Sequence, residues 1–159
     1  MTYSAIKIIT LFAILVSSDL FRHLNAQEAN GVESVITEVF DAMRNNDEEK
    51  LQSLFYSDMT MKIVDHQNGK STLETSSAEQ FVRAVGQPKD EIWDEQFDEL
   101  EIIVDGHFAT AVMDYGFYRG DRFSHCGKNV FSLIQTGSEW KIFSIIYSRR
   151  TNNCEKWIH

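Results

Sequence analysis

Residues 108–148 read FATAVMDYGFYRGDRFSHCGKNVFSLIQTGSEWKIFSIIYS, and this stretch decides the fold. Three runs rich in β-branched and aromatic residues are separated by glycine-containing turns at 120–122 and 137–138. Consecutive strands joined by short turns pair antiparallel. A meander of three antiparallel strands is therefore predicted, over residues 108–118, 123–135 and 140–148.

The two turns predict which side chains share a face of the meander. A three-residue loop at 120–122 pairs Tyr115 with Gly127, and a two-residue turn at 137–138 pairs His125 with Arg150. Because paired residues point to the same face, we expect one face to collect Tyr115, Phe117, His125, Gly127, Asn129, Ser148 and Arg150. The opposite face is expected to carry Val112, Val130, Ile134, Phe143, Ile145 and Tyr147.

Three helices are predicted before the meander. Apolar residues recur at three- and four-residue intervals over 31–44, which is typical of an amphipathic helix. Asp47 can cap a second, short helix, and Ser76 or Ser77 can cap a third that ends at Gly86.

A small hairpin and a long strand complete the pattern. Strands over 59–64 and 71–74 flank the hairpin signal Asn68-Gly69, and a strand over 91–104 leads into the meander. Helices and a hairpin followed by a meander indicate the α+β class, with three N-terminal helices packed on a curved antiparallel sheet.

The first residues have the order of a secretory signal peptide. Lys7 precedes an apolar run over 8–16, and a polar stretch then ends at Ala26. The run is shorter than the roughly 20 residues of a membrane span, so cleavage is favoured over an uncleaved anchor. We expect an exported protein, periplasmic or secreted, in which residues 1–26 are removed and 27–159 form a single domain.

Charge and cysteine content limit the expected partners. The chain has 15 basic and 24 acidic side chains, a net charge of −9, so it repels phosphate backbones and nucleic acid is not expected. Cys126 and Cys154 can form a disulfide in an oxidising compartment, although nothing in the sequence fixes their separation. Two cysteines without spaced histidines do not indicate a metal site, and no metal or cofactor is expected.

The arrangement resembles the nuclear transport factor two superfamily, whose cone-shaped α+β barrels include the SnoaL-like proteins. The resemblance covers residues 30–150 and rests on the opening helix, on DGHFA at 105–109 before YGFY at 115–118, and on WKI at 140–142 before a Tyr-Ser pair at 147–148. It implies a cone with an open end and one pocket.

A shorter segment is similar to one branch of that superfamily. His125-Cys126-Gly127, followed by Phe131 and Leu133, looks like the exported, lumazine-binding-like bacterial proteins. Such cones host isomerases, dehydratases, cyclases, hydrolases and binding domains, so the resemblance implies no single activity. No pair of carboxylates matches the catalytic pair of the ketosteroid isomerases.

Five residues of the predicted polar face are candidates for a site. The open end of the cone would hold His125, Tyr115 and Arg150, with Asn129 and Ser148 deeper. His125 could take a proton, Tyr115 could donate one, and Arg150 could bind a substrate carboxylate. Each also has a structural interpretation: a hydrogen-bonded strand residue for His125, core packing for Tyr115 and a solvated strand end for Arg150.

Trp93 is the sixth candidate, since an aromatic residue among charged ones could be a lid that stacks on a sugar ring, or close a core edge or dimer rim. Together the six predict a cofactor-free lyase or dehydratase that acts by proton transfer on an acidic sugar or oligosaccharide. The alternative is a non-catalytic ligand-binding or dimeric interaction domain. A cone filled by Phe117 and Phe131 would favour the alternative.

A homodimer is expected as well. The predicted helices lie on one side of a single sheet, and the opposite face, which is apolar, also needs to be covered. The contact is predicted to use Phe143, Ile145 and Tyr147.

Overall fold

The computed structural model describes residues 26–158 apart from 68 and 69. The signal peptide prediction covers residues 1–26, of which 1–25 lie outside the described residues. The predicted hairpin turn at Asn68 and Gly69 lies outside them too. Within the described part, no helix is long and apolar enough to cross a membrane.

The three predicted helices are confirmed, with bounds 26–45 for α1, Glu48–Ser53 for α2 and Ala78–Gly86 for α3. The side chain of Asp47 accepts a hydrogen bond from the backbone N–H of Lys50 at 2.9 Å and caps α2. Ser77 caps α3 by accepting from the backbone N–H of Gln80 at 3.3 Å. Both caps satisfy N–H groups that a helix start leaves without partners.

Six strands form one sheet in the order β2-β1-β6-β5-β4-β3. Their bounds are β1 Phe55–Gln67, β2 Lys70–Ser76, β3 Trp93–Asp105, β4 Phe108–Arg119, β5 Arg122–Thr136 and β6 Glu139–Arg149. Every neighbouring pair is antiparallel except β1 and β6, which run parallel. Parallel pairing is possible there because four strands and a helix separate the two in sequence. The α+β prediction is confirmed, and the sheet is open, not a closed barrel.

The register of β4 with β5 is confirmed over most of its length. Tyr115 pairs with Gly127 and Phe117 with His125, as predicted. The turn has two residues instead of three, and an irregularity next to the Phe117 pair restores the predicted register. The turn is one residue shorter than predicted and the bulge adds one residue, so the side chains of β4 and β5 beyond the bulge keep their predicted faces.

The predicted register of β5 with β6 is wrong beyond the pair Leu133–Ile142. That pair and the two-residue turn agree with the prediction, but an irregularity between Ser132 and Leu133 shifts every later pair by one residue. Because side chains alternate along a strand, a shift of one residue reverses the faces of the remainder of β6.

The shift corrects two predicted sets. Ile145 and Tyr147 belong to the inner face that contacts the helices, not to the outer one. Arg150 pairs with Cys126 in an isolated bridge beyond the end of β6. The inner face thus ends with Arg149, one residue before the predicted arginine.

The main core lies between the helices and the inner face of the sheet. Its largest fully buried side chains are Phe40, Tyr115, Phe131, Ile36, Leu51, Met113, Leu133 and Ile142. The outer face is also apolar but only partly covered, with Phe108 46% and Ile146 40% exposed. We call this surface the outer patch and define it as Phe108, Val112, Val130, Ile134, Phe143 and Ile146.

Candidate functional site

A cavity of about 320 Å³ lies between α1, α3 and the inner face of the sheet. This size is at the lower end of the range for small-molecule sites. Most of its wall is aromatic or aliphatic, formed by Val39, Phe40, Met43, Met61, Phe81, Ala84, Trp93, Tyr115, Phe117, Phe131, Ile145 and Tyr147. The polar side chains in the wall are Ser76, Gln80, Glu95, His125 and Asn129.

Four of the six predicted site residues line this cavity, namely Trp93, Tyr115, His125 and Asn129. Ser148 reaches the site through its backbone, since its carbonyl oxygen accepts a hydrogen bond from the Tyr115 hydroxyl at 2.9 Å. Arg150 is not part of the wall. The predicted cluster of His125, Tyr115 and Arg150 is therefore assembled only in part.

Tyr115 is held firmly by its neighbours. It is 1% exposed, and its ring lies over Gly127, where an added Cβ would come within 2.7 Å of the ring and 1.8 Å of the Ser148 carbonyl oxygen. Burial, and secondarily the charge of Glu95, raises the pKa of Tyr115. The hydroxyl already donates to a backbone carbonyl and its pKa is raised. Tyr115 is therefore better suited to packing than to proton donation.

His125 lies in the wall as a neutral imidazole. Its ring is 4.9 Å from the ring of Phe117, and its Nδ1 is 3.1 Å from the Ser124 hydroxyl. Burial, and secondarily the charges of Arg149 and Arg119, lower the pKa of His125 to about 4.

Glu95 is the functional candidate that sequence reasoning missed. Its Oε1 accepts a hydrogen bond from the side-chain amide of Asn129 at 2.6 Å, and Asn129 is only 4% exposed. Burial raises the pKa of Glu95 to about 7, against the opposite effect of the Asn129 hydrogen bond. Near neutral pH the cavity therefore contains a carboxyl group that populates both of its protonation states.

A signal for Glu95 was present in the sequence. Side chains alternate along a strand, so Trp93, Glu95 and Phe97 share one face of β3. Two large apolar residues on either side of a glutamate mark that face as the inner one. The acidic residues Asp98, Glu99 and Glu101 farther along β3 obscure this signal, because such a run is typical of a solvated strand.

Glu95 and His125 flank one aromatic ring. Across β3, β4 and β5, Glu95 pairs with Phe117 and Phe117 pairs with His125. Two strand spacings separate the backbones of Glu95 and His125, which is roughly 10 Å. The carboxyl and the imidazole can therefore contact different atoms of one small ligand above Phe117.

The arginine at the end of the inner face is already engaged. Arg149 donates a hydrogen bond to Asp65 at 2.8 Å, and Asp65 is 7% exposed. This ion pair contributes to the electrostatic environment of His125. Arg149 is outside the cavity wall, so this ion pair lies beside the site and not in it.

Trp93 forms one side of the cavity, and its ring is held by contacts with Phe117 and Lys89. Its ring meets Phe117 edge-on at 6.0 Å, and the ammonium group of Lys89 lies 4.7 Å from its centroid. Lys89 in turn donates hydrogen bonds to the Asn46 side chain at 2.7 Å and to the Gln87 carbonyl at 3.1 Å. The ring is thus a fixed wall in this structure.

Cys126 and Cys154 form a disulfide with a Cα–Cα distance of 5.8 Å. No group of three or more His, Cys, Asp or Glu residues within the described part of the chain is arranged to hold a metal ion.

Three helices on a curved sheet, with a cavity between α1, α3 and the sheet, define an NTF2-like α+β domain. The family model described as "Putative lumazine-binding" matches residues 27–148, and the chain belongs to that family. The superfamily resemblance read from the sequence is thereby confirmed. No functionally curated protein matches the chain.

Several solved structures share the fold. An NTF2-like protein of unknown function from Shewanella baltica is 18% identical, with a TM-score of 0.63, over 80% of this chain and 97% of its own. A "putative dehydratase from the NTF2-like family" of Streptomyces avermitilis is 16% identical, with a TM-score of 0.61, over 79% and 97%. A "Putative Scytalone Dehydratase" from Novosphingobium aromaticivorans is 13% identical, with a TM-score of 0.63, over 80% and 87%. At these identities the likeness shows the fold alone.

Proposed function

We propose that the cavity carries out a cofactor-free proton transfer of the dehydratase type on a small, mainly apolar molecule. The observation that supports it is the carboxyl group of Glu95, which is half-buried in a mainly apolar wall and has a pKa of about 7. General acid–base catalysis is most efficient when the pKa of the catalytic group is close to the working pH.

The reaction needs one carboxyl group in two roles. As a carboxylate, Glu95 removes a proton from the carbon beside a substrate carbonyl, and the electron pair of that C–H bond forms a double bond as the hydroxyl on the next carbon leaves. Glu95 returns the same proton to that hydroxyl, which departs as water. The Asn129 amide orients the carboxyl, and neutral His125 is placed to hydrogen-bond the carbonyl oxygen.

The wall favours a different substrate from the acidic saccharide predicted from the sequence. Arg150, which was predicted to bind a substrate carboxylate, is outside the cavity wall, and Arg149 is paired with Asp65. An anionic ligand would also raise the cost of ionising Glu95. We therefore propose a neutral cyclic molecule with a carbonyl and a hydroxyl group.

Two of the similar structures carry the word dehydratase in their descriptions, which is consistent with this reaction class. The non-catalytic alternative is supported by the engagement of the Tyr115 hydroxyl with a backbone carbonyl. Phe117 and Phe131 line the cavity without filling it. The cavity therefore has room for a ligand, whether the protein is an enzyme or a binding domain.

The test uses 3-hydroxycyclohexanone and bicyclic analogues, whose dehydration gives a conjugated enone with a new ultraviolet absorbance. Glu95→Gln keeps the acceptor for Asn129 but cannot take a proton, so turnover should disappear. Glu101→Gln, an exposed change on the same strand, is the matched control. Binding to the wild type with no turnover of any analogue would leave the non-catalytic function.

We propose further that the protein is exported and dimeric. Export is supported by the order of residues 1–26 and by the disulfide, because disulfides persist in oxidising compartments. Dimerisation is supported by the outer patch, which helices do not cover. Fractionation of expressing cells and light scattering of the purified protein test the two proposals.

A further inference from the structure

The last described residues fold back onto the outer face of the sheet. After Arg150 the chain turns, and Cys154 is joined to Cys126 of β5 by the disulfide. A single 3₁₀ turn, Glu155–Trp157, follows. We call residues 154–157 the C-terminal clamp.

The clamp contacts β4 at three alternate positions. The Trp157 ring packs on Gly116, where an added Cβ would lie 2.5 Å from it, and the Trp157 carbonyl accepts a hydrogen bond from the Tyr118 hydroxyl at 2.6 Å. The Lys156 ammonium group is 3.0 Å from an Asp114 carboxylate oxygen. Alternate residues share a face, so these contacts all lie on the outer side of β4.

A second, small core forms beneath the clamp. Cys126 is fully buried, Cys154 is 2% exposed and Trp157 is 7% exposed, with Phe123 packed against them. These residues are separate from the main core on the other side of the sheet. The clamp is therefore a packed element, not a loose tail.

The cavity wall lies directly on the other side of the clamped strands. Tyr115 and Phe117 alternate with the three β4 residues that the clamp contacts, and His125 directly precedes Cys126 on β5. Any change in how β4 pairs with β5 at this point would move Phe117 relative to His125.

We propose that Trp157 and the Cys126–Cys154 disulfide are positioning residues for the cavity, which hold β4 and β5 so that Phe117 stays against His125. Opening the disulfide loosens this part of the wall and weakens ligand binding, so the cavity depends on the redox state of its surroundings. The positioning of the wall follows from the geometry, whereas the effect on ligand binding rests on the proposed function.

The environment of His125 provides a sensitive readout of the wall. Its charged neighbours are Arg149, Arg119 and Asp65, and burial is the main cause of its lowered pKa. Loosening the contact with Phe117 admits water, which favours the protonated imidazole. The pKa of His125 should then rise from about 4 towards its ordinary value.

The first experiment follows the His125 Cε1–H signal by NMR as a function of pH in the oxidised protein. In Trp157→Ala, and in the double variant Cys126→Ser with Cys154→Ser, the midpoint should rise by at least one pH unit. Trp157→Phe should restore most of the wild-type value, because a ring again covers Gly116. Leu73→Ala, an exposed change on β2, is the control and should leave the midpoint unchanged.

The second experiment measures the affinity for 2-naphthol, a neutral aromatic probe with one hydroxyl donor for Glu95. Its Kd should rise at least tenfold in Trp157→Ala and on reduction of the wild type with a phosphine. Failure of the oxidised wild type to bind 2-naphthol would count against the proposed function and leave the NMR test of the wall intact. A folded Trp157→Ala protein with an unchanged His125 titration would overturn the inference. Complete unfolding of both the variant and the reduced protein would overturn it too, because the clamp would then support the whole fold.

Discussion

Ile145 and Ile146 are neighbours in β6, yet one belongs to the inner face of the sheet and the other to the outer face. Ile145 is 4% exposed and lines the cavity, whereas Ile146 is 40% exposed in the outer patch. The two faces are similarly apolar in sequence. They differ in what covers them, since helices α1 and α3 close the inner face and the clamp covers only one region of the outer face.

The comparison shows that apolar composition does not reveal which face of such a sheet encloses the site. The inner face has a half-buried carboxyl group, Glu95, which accepts a hydrogen bond from a buried amide, Asn129. The charged groups on the outer face include Lys128 and Lys156, which pair with Asp114 beside solvent. Polar groups are costly only where water is excluded, and a shifted pKa follows from that cost.

The largest expected effect separates the two isoleucines. Ile145→Asp places an unpaired charge in the core and should lower the free energy of unfolding by more than about 4 kcal/mol, so that the protein fails to fold. Ile146→Asp should keep the fold and convert the proposed dimer to a monomer. Circular dichroism measures the fold of both variants, and light scattering measures their oligomeric state. Equal stability of the two proteins would contradict the assigned faces.

A substitution at Gly127 tests the closeness of the inner packing. An added Cβ would meet the Ser148 carbonyl oxygen at 1.8 Å, which is a backbone atom, so Gly127→Ala should cost about 3 kcal/mol. Gly137→Ala is the control, since it has a φ of +65° but open space around it, and should cost about 1 kcal/mol. Chemical denaturation provides both values, and a reversed order would be inconsistent with the packing of Tyr115.

The pH dependence of stability should reveal the buried carboxyl group. Glu95 titrates near 7 in the folded chain and near 4.5 when unfolded, so between these values the folded state binds more protons. The free energy of unfolding should therefore fall as the pH rises from 4.5 to 7. Glu95→Gln removes this loss and should stabilise the protein at pH 8 by roughly 2–3 kcal/mol. A variant less stable than the wild type at pH 8 would show that the carboxylate is not buried.

His125 should produce a smaller dependence of the opposite sign. Its pKa is about 4 when folded and near 6.5 when unfolded, so its contribution to stability is present above pH 6.5 and is lost as the pH falls to 4. Because the imidazole is partly solvated, the loss should be roughly 1–2 kcal/mol. Denaturation of His125→Asn from pH 4 to 7 should show a steeper fall with rising pH than the wild type, since only the Glu95 effect remains. Parallel curves for the two proteins would argue against burial of His125.

Much of the fold follows from local sequence. The periodicity over 31–44, the caps Asp47 and Ser77, and the turn at 137–138 predicted elements that the structure contains. The pairing of Tyr115 with Gly127 was also predicted, and it is observed because the irregularity next to Phe117 compensates for a turn one residue shorter than expected. These features depend on residues near one another in the chain.

The irregularity in the β5–β6 pairing could not be predicted in that way. A bulge inserts one residue with little local signature, and it decided that Ile145, Tyr147 and Arg149 face inward while Arg150 does not. Glu95 was missed for a related reason. Its face was readable from alternation, but its burial depends on β5, which brings Asn129 to it across the sheet.

The sequence by itself determined the α+β class, the order of the elements and the apolar character of both sheet faces. It also placed His125 and Tyr115 on one face. These features could be predicted because propensity, periodicity and turn chemistry act over a few residues. Only the tertiary structure decided which residues of β6 line the cavity, which carboxyl group lies in its wall and where the disulfide anchors the chain end. Those outcomes depend on long-range packing and on the exclusion of water, which no short stretch of sequence specifies.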